Sequence, residues 1–458
     1  MAQSPSRSTI KVSALPKDTG SSGWHEIAPP RAKAPSLDRD IDADFLVVGA
    51  GFAGLTATWR LRELHPSAQI VLVDAGGVGE GPAGRNSGFM IDLPHDLQSQ
   101  NYGGALDRDH SEIAMNRHAI AYASQMASEC AMGPDMFQLC GKVNAAATAK
   151  GQKHITTYAK HLEALGEDFR VLDAGQMQQL TGSSYYSQGL FTPGTAMIQP
   201  AAYTQALAEK LLSKGVGIFE DTPITALNCN SAASPPRWTA ATAAGACIQS
   251  PTVILAVNGH LNSFGIARGR LMPIFTYASM TRALTGEEEA ALGGEATWSL
   301  TPSDPLGTTV RKVQSKEGAH IVVRNRFTYE VGMEVSQAKV TRIGGLHDHC
   351  LAARFPALSG IQMHSRWGGR LSVARNGGTV FRQEAPGLFA AGCQNGLGAA
   401  KGTLQGKLVA EWASGLESEW LDALRNSPPP SKLLPEPLMS LGVNSVLSVQ
   451  EILAGRER

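Results

Sequence analysis

Apolar runs of strand length alternate with stretches of helical period along the chain, and the first such unit is the most regular. Ala43–Val48 is an apolar run behind a polar lead-in and predicts a buried strand. A glycine-rich turn follows, then helical spacing to about Leu64, then a second apolar run, Gln69–Val73, ending in Asp74. Helical period returns over Asp109 to about Cys130, over Gly151–Leu165, and over Pro200–Lys214 with proline in the first turn. Short strand-like pieces come next: Val216–Phe219, Ile224–Leu227, Trp238–Thr242 and Cys247–Ile248. Thr252–Val257 is strongly apolar and reads as a return to the first sheet.

From 270 to 340 the pattern changes. Leu271–Thr281, Thr308–Val313, His320–Val323 and Phe327–Val331 read as antiparallel strands, and Thr341–Arg354 as a helix. Gly387–Gly392 is a strand leading into a glycine-rich turn, and a helix from about Gly402 to Ser414 closes the fold. The expected class is α/β, a Rossmann-like nucleotide domain carrying an inserted α+β domain on an antiparallel sheet. The nucleotide domain takes 41–110, 198–260 and 375–420, and the inserted substrate domain 111–197 and 261–374. Residues 1–40, rich in Ser, Pro, Lys and Arg, are expected to be a mobile or surface-draped arm that Trp24 and Ile27 pin to the body; 421–458 is a C-terminal extension.

The first turn carries chemistry. Gly49-Ala50-Gly51-Phe52-Ala53-Gly54 sits where the strand meets the helix. Gly49 permits the tight turn, Gly51 lets a pyrophosphate approach the backbone, and Gly54 lets the helix pack on the strand. The helix start offers unbonded N–H groups and partial positive charge to phosphate. Asp74, at the end of the second strand, is placed to bind ribose hydroxyls, so the unit reads as a dinucleotide site. A second glycine-rich stretch, Gly76 to Phe89, holds Arg85, Asn86 and Ser87 among its glycines and reads as a ligand-facing loop; Asp92, Pro94 and His95 extend it.

Bulk properties remove other classes. The 458 residues suggest two or three domains, and 40 basic side chains balance 40 acidic ones, so nothing points to a nucleic-acid surface. The six cysteines are scattered, with no zinc spacing, which fits packed thiols in a reducing compartment and no metal site. We find no apolar run long enough to span a bilayer and no secretory signal, so a cytoplasmic location is expected.

The ordered set of the Asp42–Asp74 unit, Gly84-Arg85-Asn86-Ser87-Gly88, Pro200 opening a helix, and Gly392-Cys393-Gln394-Asn395-Gly396-Leu397-Gly398 resembles the D-amino-acid-oxidase-like FAD oxidoreductases. That superfamily includes glycine oxidase, sarcosine oxidase and the gamma-glutamylputrescine oxidase branch; the chain resembles this last branch most, including an N-terminal Trp segment, here Gly23-Trp24-His25-Glu26. The resemblance covers roughly residues 20 to 415 and implies a glutathione-reductase-type FAD domain. It implies that Gly49, Gly51, Phe52, Ala53 and Gly54 hold the pyrophosphate, that Asp74 and Ala75 hold the adenosine ribose, and that Arg85, Asn86, Ser87 and Gly88 lie along the pyrophosphate and flavin. Ile224 is expected at the adenine and Asn258 near the nucleotide. Gly392, Asn395, Gly396, Leu397, Gly398 and Lys401 are expected to face the flavin ring. FAD is expected to be non-covalent, with Cys393 a packed thiol.

The implied reaction is hydride transfer from the carbon beside an amine nitrogen to flavin, giving an imine that water hydrolyses, with O2 or an electron carrier as acceptor. The same fold also serves dehydrogenases that feed a quinone or carrier protein, and a non-catalytic flavin-binding regulator is the alternative from another class. An NAD-dependent dehydrogenase leaves the Gly392–Gly398 turn without a task. The carboxylate clamp of sarcosine-oxidase relatives is missing: Leu397 and Ala400 stand at its histidine and lysine positions, and no arginine follows Ser87 until Arg108. Substrate contacts are expected from Asp92, Trp367 and one face of the 273–281 strand, either Phe275, Tyr277 and Ser279 or Thr276, Ala278 and Met280; the aromatic set is preferred. Arg324 or Arg326 is a candidate for a substrate anion, and Tyr277, His95 and Lys401 are the candidate catalytic groups.

Overall fold

Three of the apolar runs lie side by side in a six-stranded sheet in the computed structural model, which describes residues 9–94 and 104–458. The sheet order is Gly217–Phe219, Ile70–Val73, Phe45–Val48, Thr252–Leu255, Leu388–Gly392 and Val380–Ala385. The first five strands are parallel and the last is antiparallel. Burial on both faces explains why the central strands read as continuous apolar runs. One face is covered by the helices Phe52–Leu64, Pro200–Ser213 and Gly398–Ala413. The other carries a five-stranded sheet built from Thr9–Lys11, Ile224–Asn230, Arg237–Thr242, Cys247–Ser250 and Ile41–Asp42, with Trp238 and Leu227 in the shared core.

The second body is an eight-stranded sheet in the order Met363–Val373, Met272–Thr281, Gly318–Tyr329, Thr309–Ser315, Trp298–Pro302, Lys142–Ala146, Gln188–Thr192 and Arg170–Leu172. The helix Gln337–Arg354, capped by Ser336, lies against it. Three differences from the sequence reading matter. The helix Leu106–Glu129, mostly allotted to the inserted domain, packs Ile120, Tyr122, Ala123 and Met126 into the same core as the nucleotide helices. The segments His320–Val323 and Phe327–Val331 are one strand, Gly318–Tyr329, whose pairing shifts between Thr276 and Tyr277 while Arg326 takes a φ of +64°. Met363–Val373, not anticipated as a strand, pairs along the whole length of Met272–Thr281.

Both ends of the described chain are tied down. Thr9–Lys11 joins the five-stranded sheet, and Trp24, only 1% exposed, is packed with Ala278, Met280 and Trp367. Burial of a side chain of this size is worth about 3 kcal/mol, so Trp24 pins the described part of the arm to the body. At the other end the helix Leu438–Ala454 lies on Gly318–Tyr329, held by Glu451 to Arg326 and by Asn444 Oδ1 accepting from Tyr329 N at 3.4 Å. By length and composition Leu438–Glu457 is apolar enough to cross a membrane, with a mean hydropathy of 1.2, a run the sequence reading passed over. Its Leu441, Val449 and Ile452 are exposed, while Glu451 holds it to the sheet and the buried Glu457 accepts from Ala147 N at 3.0 Å and Thr148 Oγ1 at 2.6 Å.

Candidate cofactor and substrate site

A cavity of about 590 Å³ lies between the carboxyl ends of the nucleotide strands and the eight-stranded sheet, within the size range of cofactor sites. Gly49, Gly51, Phe52 and Ala53 from the first turn form one wall. Asp74, Ala75, Ile224 and Asn258 extend it, and Gly396, Leu397 and Gly398 close it from the last turn. Gly49 has a φ of +104°, and a Cβ there would stand 2.8 Å from the Ala256 carbonyl oxygen. The helices Phe52–Leu64 and Gly398–Ala413 both start on this wall, at Gly51 and Leu397, and neither start has a side-chain cap. Their first N–H groups therefore face the cavity without an intrahelical partner, which suits phosphate and an electron-rich ring.

The two helix starts converge because glycine allows it. A Cβ on Gly402 would stand 3.1 Å from Phe52 Cβ, and one on Gly406 would lie 2.2 Å from the Ala53 oxygen. Gly54 and Gly392 do not reach the cavity among the described residues. A Cβ on Gly54 would fall 1.6 Å from the Gly49 oxygen, and one on Gly392 would meet Leu261 and Asn258. Both are packing glycines, and Gly54 is what sets the turn. Asn395 is also structural: its side chain accepts from Ala374 N at 2.8 Å and donates to the Gly377 and Gly378 oxygens, fixing the turn from behind.

Asp74 accepts from Ala50 N at 2.6 Å and Gly76 N at 2.9 Å. Burial pushes its pKa up to about 6 against the pull of these two donors. His260, which sequence reasoning passed over, also lines the cavity. Its Nδ1 lies 3.2 Å from Ser263 Oγ, and its buried Nε2 has no partner among the described residues. Burial, with Arg370 nearby, lowers its pKa to about 3, so the ring is neutral. These uncapped helix starts, glycine cradle and orphan nitrogen fit an anionic dinucleotide with hydrogen-bonding heterocycles.

Arg85, Asn86 and Ser87 line the cavity, but the Arg85 guanidinium is occupied. It donates to the oxygens of Glu80 (2.6 Å), Thr19 (3.1 Å) and Gly368 (3.4 Å), and to that of Gly20. It holds the loop in place instead of reaching phosphate. Arg311 does the same from the sheet side, donating to the Ser87 oxygen at 2.8 Å and the Ile198 oxygen at 2.9 Å. A Cβ on Gly88 would fall 2.0 Å from Arg311 Nη1, which is why glycine stands there, with φ +77°. Nothing in the sequence singled out Arg311; an arginine beside Lys312 in a mixed strand carries no signal until the fold brings the loop to it.

The substrate-side wall differs from expectation. It consists of Phe89, Ile91, Thr301, Thr309, Arg324 and Leu371, with Pro302 and Pro305. Of the two candidate arginines, Arg324 reaches the cavity and Arg326 is paired with Glu451. The preferred aromatic face is on the wrong side. Phe275 and Tyr277 pack against Val335, Val340 and Ile343, and Tyr277 Oη is bonded to Thr328 Oγ1 at 2.7 Å. Ser279 Oγ meets His347 Nδ1 at 2.7 Å in the same layer. The alternate face, Ala278 and Met280, packs on Trp24 and Trp367, so no residue of this strand lines the cavity among the described residues.

Trp367 is fully buried and donates from its indole to the Arg85 oxygen at 2.9 Å, supporting the loop from behind. Asp92 is fully buried and paired with Arg117 at 3.1 Å, so it is a structural acid. Lys401 points to Glu112 at 2.9 Å, away from the cavity. His95 lies outside the described residues. Cys393 is fully buried, its pKa pushed up to about 12 by burial, and no cysteine lines the cavity among the described residues.

The FAD dependent oxidoreductase (DAO) family profile matches residues 44–412. A protein described as "Probable oxidoreductase OrdL" from Rhizobium meliloti is 24% identical over 413 residues, covering 88% of this chain and 90% of that protein. The gamma-glutamylputrescine oxidoreductase of Escherichia coli is 23% identical over 425 residues, 89% of this chain and 92% of that one. The crystal structure of glycine oxidase from Geobacillus kaustophilus superposes with a TM-score of 0.67 at 17% identity, covering 86% of this chain and all of that one. With the glycine cradle, the acid at its far end and the second glycine turn in one cavity, and the profile matched over most of its length, this chain belongs to the DAO family of FAD-dependent oxidoreductases.

Proposed function

We propose that the chain oxidises a C–N bond in an amine or amino acid, giving an imine that water hydrolyses, with O2 as the electron acceptor. The observation that carries this reading is one cavity shared by the FAD cradle and by Arg324 on the facing sheet. The names of the similar gamma-glutamylputrescine oxidoreductase and glycine oxidase agree with it. FAD, when bound, supplies the acceptor for the hydride. The chain's residues do the rest.

Phe89, Ile91 and Leu371 are apolar and exclude water from the reacting carbon. Arg324 fixes an anionic group of the substrate, and Thr301 and Thr309 offer hydroxyls beside it. The helix start at Leu397–Gly398 contributes positive potential where negative charge develops on reduction. In this reading FAD is held without a covalent bond, and heat or acid releases it. In an anaerobic panel of primary and secondary amines, polyamine conjugates and amino acids, a true substrate bleaches the flavin. Air then restores the colour and yields peroxide. Flavin that no member of the panel bleaches would overturn the proposal, and bleached flavin that air does not reoxidise would move the acceptor from O2 to a carrier.

A further inference from the structure

We propose that residues Val12–His25 are part of the FAD site, a strap that closes across the cofactor after it enters, with the Asp18–Arg370 ion pair as its latch. Ahead of the short helix Gly23–Glu26 the segment's composition gives it little reason to order by itself: Pro16 and Gly20 interrupt any regular element, and apolar side chains are few. Its order comes from its two ends. Upstream, Thr9–Lys11 pairs with Ala226–Asn228, then Val12 N donates to the Thr225 oxygen and Ser13 N to the Ser263 oxygen, each at 2.9 Å. Downstream, Ser22 Oγ donates to the Gly84 oxygen at 3.1 Å, and the buried Trp24 donates from Nε1 to the Asn86 oxygen at 2.8 Å.

The middle is held differently. Among the described residues, no backbone N–H from Ala14 to Ser21 bonds to a backbone carbonyl. Yet Val12, Ala14, Leu15, Pro16, Asp18 and Gly20 all line the cavity. What holds this stretch is a set of side-chain ties. Asp18 Oδ2 meets Arg370 Nη2 at 2.8 Å, with the two side chains 18% and 8% exposed. Arg370 Nη1 also donates to the Lys17 and Met333 oxygens, each at 3.2 Å. Thr19 Oγ1 donates to the Val335 oxygen at 2.5 Å, and Arg85 donates to the Thr19 and Gly20 oxygens.

A stretch fixed at both ends, without backbone bonds between them, opens more readily than the sheet on either side. When open it uncovers the cleft; when closed it lays Ala14, Leu15 and Pro16 over whatever lies inside. The latch joins the sheet bearing the substrate wall to the chain's N-terminal end, so closure also ties the two bodies together across the cofactor. FAD binding and strap closure are then one coupled equilibrium, in which each favours the other.

Hydrogen–deuterium exchange on the full-length protein, with and without FAD, tests the coupling. FAD is expected to slow exchange over residues 14–21 by at least about tenfold, well beyond any change in the Phe52–Leu64 helix. In stopped dilution followed by flavin fluorescence, Asp18→Asn is expected to speed FAD release about tenfold, as loss of about 1.4 kcal/mol of closure dictates. Leu15→Ala, at a side chain already 36% exposed, leaves the ion pair intact and is expected to speed release a few-fold. Equal exchange in the two forms, together with release unchanged in both variants, would overturn the strap while leaving the FAD assignment standing.

Discussion

The two halves of the cavity are built by different means. The cofactor half is made of backbone: glycines whose missing Cβ atoms let strand, helix and ligand approach, and helix starts left without caps. The substrate half is made of side chains from strands and loops far apart in sequence, Phe89 and Ile91 beside Thr301, Thr309 and Arg324. A backbone cradle depends on spacing, which a sequence displays directly. A side-chain wall depends on which face each strand presents, and one displaced residue reverses that.

The comparison breaks most sharply at Gly54. A Cβ there would lie 1.6 Å from the Gly49 oxygen, and backbone cannot move aside as a flexible side chain would. Gly54→Val is expected to cost about 3 kcal/mol or more and to abolish FAD binding, read as a lower melting temperature and a colourless protein. On the substrate half the expected loss is of another kind. Arg324→Leu should leave FAD affinity intact and reduce kcat/KM for an anionic substrate by about a hundredfold, the scale for truncating a buried charge contact. An anionic substrate turned over equally well by both forms would show that Arg324 does not meet it.

Legibility followed the same division. The strand at 45–48, the helix to Leu64 and the strand ending at Val73 were plain from period, and Gly49, Gly51 and Asp74 stand on the cavity as their spacing requires. The last turn was readable too, although its helix starts at Gly398 rather than near Gly402. That shift moves an uncapped helix start onto the cavity wall. The strand Met272–Thr281 was also found in the right place. Its preferred face was wrong because aromatic residues suit a helix-packing layer as well as a ligand wall, and Val340 and Ile343 take them. Trp367, Asp92 and Lys401 lie near the site in sequence pattern yet point into partners that only the fold supplies: the Arg85 carbonyl, Arg117 and Glu112. Asp18, Arg311 and Arg370 carried no local signal at all.

Asp74 gives a smaller effect that sharpens the cofactor half. Its pKa in the folded protein without ligand is about 6, above the ordinary 3.8. A raised carboxyl pKa contributes stability that is fully present below 3.8 and is lost as pH rises through about 6. Ribose hydroxyls donate to the ionised form, so FAD binding favours loss of that proton. FAD affinity is therefore expected to climb between pH 5 and pH 7, by at most about tenfold per pH unit, and to level off above. Titration by flavin fluorescence quenching at several pH values checks this. Asp74→Asn should bind more weakly at neutral pH and show a flatter profile.

The smallest expected effects separate wall from support. Tyr277 is one of three catalytic candidates by sequence, but its hydroxyl is spent on Thr328 and its ring on the helix layer. Burial pushes its pKa up to about 12, so it is no base at neutral pH. Tyr277→Phe removes one hydrogen bond, worth about 1 kcal/mol of stability. It should change kcat/KM by no more than about twofold, because nothing it touches lines the cavity. Lys401→Met should behave alike, since the ammonium it removes faces Glu112 and not the last turn's cavity surface. The two variants test the facing of strand and helix more strictly than any loss of function would. A hundredfold fall in kcat with FAD still bound, in either one, would require its side chain to swing into the cavity during turnover, and the division into backbone cradle and side-chain wall would have to be redrawn around that motion.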